Sequence, residues 1–161
     1  SVCKGIAAYL APAGMAADGY WIVGGGAKDT TDSGKMDEPF IAFARDLISD
    51  AGEDAGISLT GEGVFRGYAF TEAFRIADAL PGGMSRTNLM LALRNFKIYH
   101  PGLLDGLVTE LKGNADAYFV EGSEYSKFNA TDQTWEMIGD VVDANGGTPN
   151  CRWDKANGGC R

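Results

Sequence analysis

Residues 36–52 read MDEPFIAFARDLISDAG, and this stretch carries the strongest helical signal in the chain. Phe40, Ile41, Ala44, Leu47 and Ile48 recur at the three- and four-residue spacing of one helical face. Pro39 suits a first helical turn, Asp37 and Glu38 suit its positive end, and Gly52 suits the stop. Working outward, two more helices are expected after it. One runs from about Glu62 to Leu80 and is ended by Pro81-Gly82-Gly83. The other, 86–96 (RTNLMLALRNF), is capped by Ser85 and buries Leu89, Met90, Leu93 and Phe96. On the N-terminal side, residues 4–10 (KGIAAYL) read as a short helix stopped by Pro12 and Gly14, and 20–26 (YWIVGGG) as a buried strand ended by glycines. Residues 27–35 (AKDTTDSGK) are polar and turn-rich, as a linker is. After residue 115 the texture changes to short aromatic and branched runs, a meander of two or three strands with a hairpin turn at Asn129 to Asp132.

The order is helix, strand, three helices, terminal strands: an α/β pattern. One early strand followed by three helices cannot complete a central sheet, so the pattern is that of part of a larger unit. Ser1 in place of an initiating Met fits the same expectation, whether by processing, proteolysis or design.

The 161 residues, with 45% apolar content, suffice for one domain with a real core. The 14 basic against 22 acidic residues give a net charge of −8, which argues against nucleic acid or an anionic membrane as partner. No apolar run approaches the roughly 20 residues that span a bilayer.

Of three cysteines, Cys151 and Cys160 lie in the turn-rich tail GGTPNCRWDKANGGCR. Their spacing suits a disulfide worth about 2.5–3 kcal/mol on the chain-entropy model. Such a bridge implies an oxidising, extracytoplasmic compartment. Two unrelated thiols are the alternative, and a zinc site would have to recruit the distant His100. Cys3 is left over.

Catalytic constellations fail early. The single histidine, His100, must serve every Ser-His-Asp or Cys-His arrangement, and its setting before Pro101 reads as a surface or hinge loop. Residues 24–35 resemble a phosphate loop only loosely, because Gly34-Lys35 is followed by Met36 rather than Ser or Thr. The stretches DVVDANGG and WDKANGG carry oxygen ligands for calcium without the full loop spacing. Glu121 and Glu124, three apart on a strand, point to opposite faces and read as solvated or salt-bridged rather than as an acid/base pair. Phe65 and Tyr68 follow the turn-like 58–63 (SLTGEG) near a helix start, where free backbone N–H groups could hold a carboxylate.

Several stretches taken together, in order, resemble one family: APAGMAADGYWIVGGGAKD, PFIAFARDLISDAG, GYAFTEAFRIADAL, GGMSRTNLMLALRNF and GDVVDANGGTPNC. The chain resembles the C-terminal portion of the periplasmic solute-binding proteins of ABC transporters, of the branched-chain-amino-acid-binding type. The likeness spans nearly all 161 residues and rests on the collinear series rather than on one motif. It implies a two-lobed type I periplasmic-binding fold, incomplete in this chain, with three-layer α/β/α lobes. Residues 1–26 would belong to the second lobe and 27–35 would cross between lobes. Residues 36–105 would lie in the first lobe, and 106–161 would form the terminal strands of the second and the disulfide-pinned tail. The segment around His100-Pro101-Gly102 would be another crossing.

The implied function is non-enzymatic capture of a small solute, an amino acid or a related amide or organic acid, in an interlobe cleft for delivery to an ABC permease. No cofactor and no metal is implied. In amino-acid binders of this family an acidic residue in the loop before residues 4–10 meets the ammonium group. The matching positions here are Ser1, Val2 and Cys3, none of them acidic. A second contact, an aromatic at the turn entering the next helix, maps onto Gly63 to Phe65. Cys3 would be either unpaired or bridged to a separate fragment. The expected partners are a small-molecule ligand, the permease, and either the N-terminal portion of the parent protein or a second copy. The expected location is the periplasm or cell surface, with a lipid anchor upstream as one form of attachment. The competing reading is a self-contained secreted α/β enzyme of hydrolase type.

Overall fold

A computed structural model describes residues 2–113, 115–147, 153, 154, 156, 157, 159 and 160. The fold is mixed α/β: irregular helical turns, three α-helices and small antiparallel sheets.

Helix α1 (Pro39–Asp50) begins on its proline and buries Ile41, Ala44 and Ile48, whereas Leu47 of the expected stripe is 46% exposed. Helix α2 (Ser58–Asp78) starts four residues before the expected Glu62. Residues 58–63 are therefore its first turns and not a turn ahead of it, which moves Phe65 away from the helix N-terminus. Helix α3 (Arg86–Arg94) has the expected cap, with Ser85 Oγ accepting the Asn88 N–H at 3.1 Å. Its buried side, packed on α2, is Asn88 and Ala92, with Phe96 just beyond; Met90 of the expected stripe is exposed.

The N-terminal stretch is wound unevenly. A 3-10 turn (Val2–Lys4), a five-residue π turn (Ile6–Leu10) and a 3-10 stretch (Ala11–Ala17) follow one another. Pro12 does not stop the winding, since it sits in the first turn of the last stretch, where its missing N–H costs nothing. Gly14, at φ 56°, makes the kink.

Strand β1 (Trp21–Val23) pairs antiparallel with β5 (Tyr125–Asn129), which pairs with β6 (Thr134–Met137) in the order β1-β5-β6. β1 is an edge strand, and Trp21 and Val23 are more than half exposed, so the expected burial fails on one face. The β5–β6 turn forms as expected: Asn129 Oδ1 accepts from the N–H groups of Thr131 and Asp132, each at 3.0 Å. Short pairs complete the strands: β2 (Lys97–Ile98) with β3 (Thr109–Glu110), β4 (Gly122–Ser123) with β7 (Val142–Asp143), and β8 (Trp153–Asp154) with β9 (Gly159–Cys160). Cys151 lies outside the described residues, so the expected Cys151–Cys160 bridge falls there too.

Burial divides into two clusters. Ile6, Leu10, Ala17, Phe128, Ala130 and Trp135 form one, with Ile22 against it. Each large apolar side chain buried there is worth about 1.5–3 kcal/mol. The Trp135 indole N–H donates to the Lys4 carbonyl at 2.9 Å and ties the N-terminal turns to the sheet. The second cluster joins Ile41, Ala44 and Phe65 with Ala27, Phe40 and Val64.

Candidate functional site

Two passages of chain run side by side next to the second cluster, to which Ala27 belongs. Ala27 bridges Leu103 antiparallel, Lys28 N–H donates to the Gly102 carbonyl at 2.9 Å, and Leu104 N–H donates to Gly26 at 2.8 Å. Gly26 needs its left-handed φ of 74° here, and a Cβ on it would stand 2.1 Å from Leu107 Cδ1.

The passage from 29 to 32 is buried, against its reading as a polar linker. It is polar because its groups satisfy backbone from three directions. Asp29 accepts from Ile6 N–H at 2.6 Å, from Thr31 N–H and Oγ at 2.9 and 2.8 Å, and from Ser58 Oγ at 3.3 Å. Asp32 accepts from Gly34 N–H at 3.0 Å and from Trp135 N–H at 3.3 Å. Burial nevertheless holds the Asp32 carboxyl above its ordinary range, because desolvation of the anion outweighs those two bonds.

Above this floor sits a small recess lined by Lys4, Gly5, Ala27, Lys28, Asp29, Ser58 and Glu62. Its free volume is about 10 Å³, near the minimum for a single water. Both lysines are engaged. Lys4 pairs with Glu124, whose side chain is fully buried, and donates to the Ala27 carbonyl at 3.2 Å; Gly26 N–H donates to the other Glu124 oxygen at 2.8 Å. This is the salt-bridged role expected for Glu124. Lys28 pairs with Glu38 at 2.6 Å and donates to Pro101 at 3.2 Å. Burial opposes ionisation of Glu38, but Lys28 and Lys35 hold its carboxyl below the usual range. Asp29 is saturated. Glu62 has only a contact to Arg66 at 3.6 Å and keeps a quarter of its side chain open. A space of that size holds one water-sized polar group, with Glu62 as the least committed acceptor beside it.

Beneath α2 the recess adjoins an apolar cavity of about 410 Å³, whose walls include Phe65, Ala69, Phe70, Phe96, Leu103 and Phe119. Ala27 and Glu62 border both spaces. His100 also lines the cavity and is buried, against the surface reading. Its Nε2 donates to the Phe65 carbonyl at 2.9 Å and its Nδ1 accepts the Gly102 N–H at 3.2 Å, which fixes the neutral tautomer. Desolvation lowers its pKa, ahead of the carbonyl contact that raises it. With both nitrogens committed to backbone, this imidazole has no site left for a nucleophile's proton.

The sequence-derived positions separate. Phe65 is buried against Phe40 and His100, with ring centroids 5.4 and 6.1 Å away, and lines the cavity rather than the recess. Gly63 lies on the open side of α2, in neither space, because the helix starts earlier than expected and turns that position outward. Cys3 is exposed and has no disulfide partner among the described residues. Ser1 and the Val2 side chain lie outside the described residues. The residues that gather at the recess, Lys4, Asp29, Ser58 and Glu62, were not singled out. Ser58 and Glu62 are one turn apart, a signal hidden while 58–63 is read as a turn. Among the described residues no cluster of three or more His, Cys, Asp or Glu could hold a metal ion.

No family model, no curated protein and no solved structure matches the chain.

Proposed function

We propose that this chain is the solute-capturing part of an ABC import system of the type I periplasmic-binding architecture, working outside the cytoplasm. The observation that carries the reading is the pair of adjacent antiparallel passages at 26–28 and 102–104, beside the cluster of Ile41, Ala44 and Phe65 and separate from the cluster around Phe128. Paired passages of this kind allow a hinge between two bodies. The recess is lined by Lys4 and Gly5 of the N-terminal turns, by Ala27 to Asp29 and by Ser58 and Glu62 of α2, and in this reading it belongs to the interlobe cleft. In this reading Glu62 meets the polar or ammonium end of an amino acid, amide or related solute, in place of the acid absent at Ser1 to Cys3. The permease and either an upstream part of the parent protein or a second copy complete the assembly.

Thermal denaturation of the protein against leucine, phenylalanine, acetamide and benzoate tests this. A ligand at 100 times its Kd adds about 2.7 kcal/mol, and the gain rises with the logarithm of concentration. Glu62→Gln should shrink that gain. If no solute shifts the transition, with or without an upstream portion joined to the chain, the reading is wrong. The hydrolase alternative predicts turnover of p-nitrophenyl acetate that His100→Gln abolishes; the backbone-locked His100 favours solute capture over it.

A further inference from the structure

The polar recess and the apolar cavity under α2 share two wall residues, Ala27 and Glu62, so one molecule can reach into both. Burial is graded around the cavity. Phe65, Phe96, His100 and Leu103 are buried, Phe119 is half-buried, and Arg66 and Phe70 stand exposed at the rim. The lining is therefore concave, and its volume of about 410 Å³ lies in the range of small-molecule sites. A dry space of about 150 Å³ already holds benzene, so a body of one or two rings has room. Phe96 and Phe119 stack with ring centroids 5.2 Å apart and supply an aromatic wall. Apart from Glu62 and Arg66, the lining side chains offer no free hydrogen-bonding group, because backbone takes both His100 nitrogens.

The recess sets the charge of what enters it. Lys4 is paired with Glu124 and Lys28 with Glu38, which leaves the carboxylates of Asp29 and Glu62 in excess around the space. Arg66 reaches Glu62 only at 3.6 Å, has a side chain 77% exposed, and borders the cavity but not the recess. Ser58 and Glu62 line the recess one turn apart on α2. Thr31 Oγ gives its hydrogen to Asp29 at 2.8 Å, so the Ser58 hydroxyl donates inward to Thr31 and Asp29 and keeps its lone pairs as acceptors.

We propose that recess and cavity form one site for a hydrophobic primary amine, its ring in the Phe-lined cavity and its ammonium in the recess on Glu62 and Ser58. A free volume of about 10 Å³ takes one water-sized group, which an ammonium is and a carboxylate is not. An α-amino acid carries its carboxylate on the same carbon, where no space remains and both lysines already serve other acceptors. Within solute capture this narrows the ligand to an arylalkylamine. The inference rests on the proposed role of Glu62 as the solute-facing acid, and not on the transport architecture.

Isothermal titration calorimetry with 2-phenylethylamine, 2-phenylethanol and phenylalanine provides the test. The amine should bind at one saturable site, at least tenfold tighter than the uncharged alcohol of the same shape and than the amino acid. Glu62→Gln, at a position a quarter open to solvent, should weaken the amine at least tenfold and leave the alcohol within about twofold. Ala69→Phe, which fills the cavity, should abolish binding of both with an unchanged circular dichroism spectrum. A wild-type protein that does not bind the amine overturns the proposal. So does an alcohol bound as tightly as the amine, or a Glu62→Gln protein that keeps the amine affinity. Phenylalanine bound as tightly as the amine overturns it and leaves amino-acid capture standing. Amine binding with no response to leucine, phenylalanine, acetamide or benzoate supports it and removes amino-acid capture.

Discussion

Glu124→Gln isolates the most deeply buried charge pair among the described residues. The Glu124 side chain is 0% exposed and its partner Lys4 is 7% exposed. Glu124 also accepts the Gly26 N–H at 2.8 Å, directly before Ala27 enters the second cluster. The amide keeps the size and one acceptor oxygen but removes the charge, and the Lys4 ammonium stays buried without a counter-ion. Removing one member of a buried pair costs about 3–5 kcal/mol, more than the pair contributes over an apolar replacement, because the penalty is that of an uncompensated charge. At about 2–4 °C per kcal/mol for a domain of this size, the melting temperature should fall by roughly 6–20 °C. The same loss should appear as a lower urea midpoint with an unchanged slope. The double variant Lys4→Met with Glu124→Leu removes both charges and should recover most of the loss. A Glu124→Gln protein within 1 kcal/mol of wild type would refute the reasoning, and so would a double variant less stable than the single.

Further outcomes follow from neighbouring features. A Cβ at Gly61 would stand 2.1 Å from Thr30 Oγ, a residue 1% exposed, so Gly61→Ala should cost about 1–3 kcal/mol in urea denaturation. At Gly63, two residues on and facing open space, the same change should instead stabilise by about 0.5–1 kcal/mol. Burial lowers the His100 pKa below its unfolded value of 6.5, so the unfolded chain binds the proton more readily. The His100 contribution is complete above that value and is lost as pH falls from it towards the folded pKa. The wild-type melting temperature should therefore drop more steeply than that of His100→Gln as pH is lowered through this window. Alkylation without reductant, followed by intact mass measurement, should modify one thiol, Cys3, and add two more only after reduction of the Cys151–Cys160 bridge. Three modified thiols without reductant would remove the bridge and the compartment inferred from it.

What the sequence made legible was what is decided locally. Pro39 and Gly52 bracket α1 through their own backbone limits, Ser85 caps α3 with its own hydroxyl, and Asn129 folds the β5–β6 turn onto itself. What failed was decided by distant partners. Residues 27–35 have loop composition, but Ile6, Ser58 and Trp135 supply the bonds that let Asp29 and Asp32 be buried. His100 precedes a proline as exposed residues often do, yet Phe65 and Gly102 enclose it. Glycines made 58–63 resemble a turn, whereas Gly61 is what lets α2 pack against Thr30. Strand β1 has the branched and aromatic residues of a buried strand, and only the sheet order leaves it at an edge.

The two clusters also differ in how far apart their members lie along the chain. The helical one draws on residues 27 to 65, whereas the other joins residues 6–22 to residues 128–135. Loops that long close slowly, and contacts of high sequence separation form late. During synthesis the helical cluster can condense while the last quarter of the chain is still inside the ribosome. The turns at residues 2–17 emerge long before the β5–β6 hairpin and wait with Ile6 and Leu10 uncovered until it follows. Assembly of the molecule is thus timed by its C-terminal hairpin, and a chaperone that shields early apolar segments would act on the N-terminal turns during that wait.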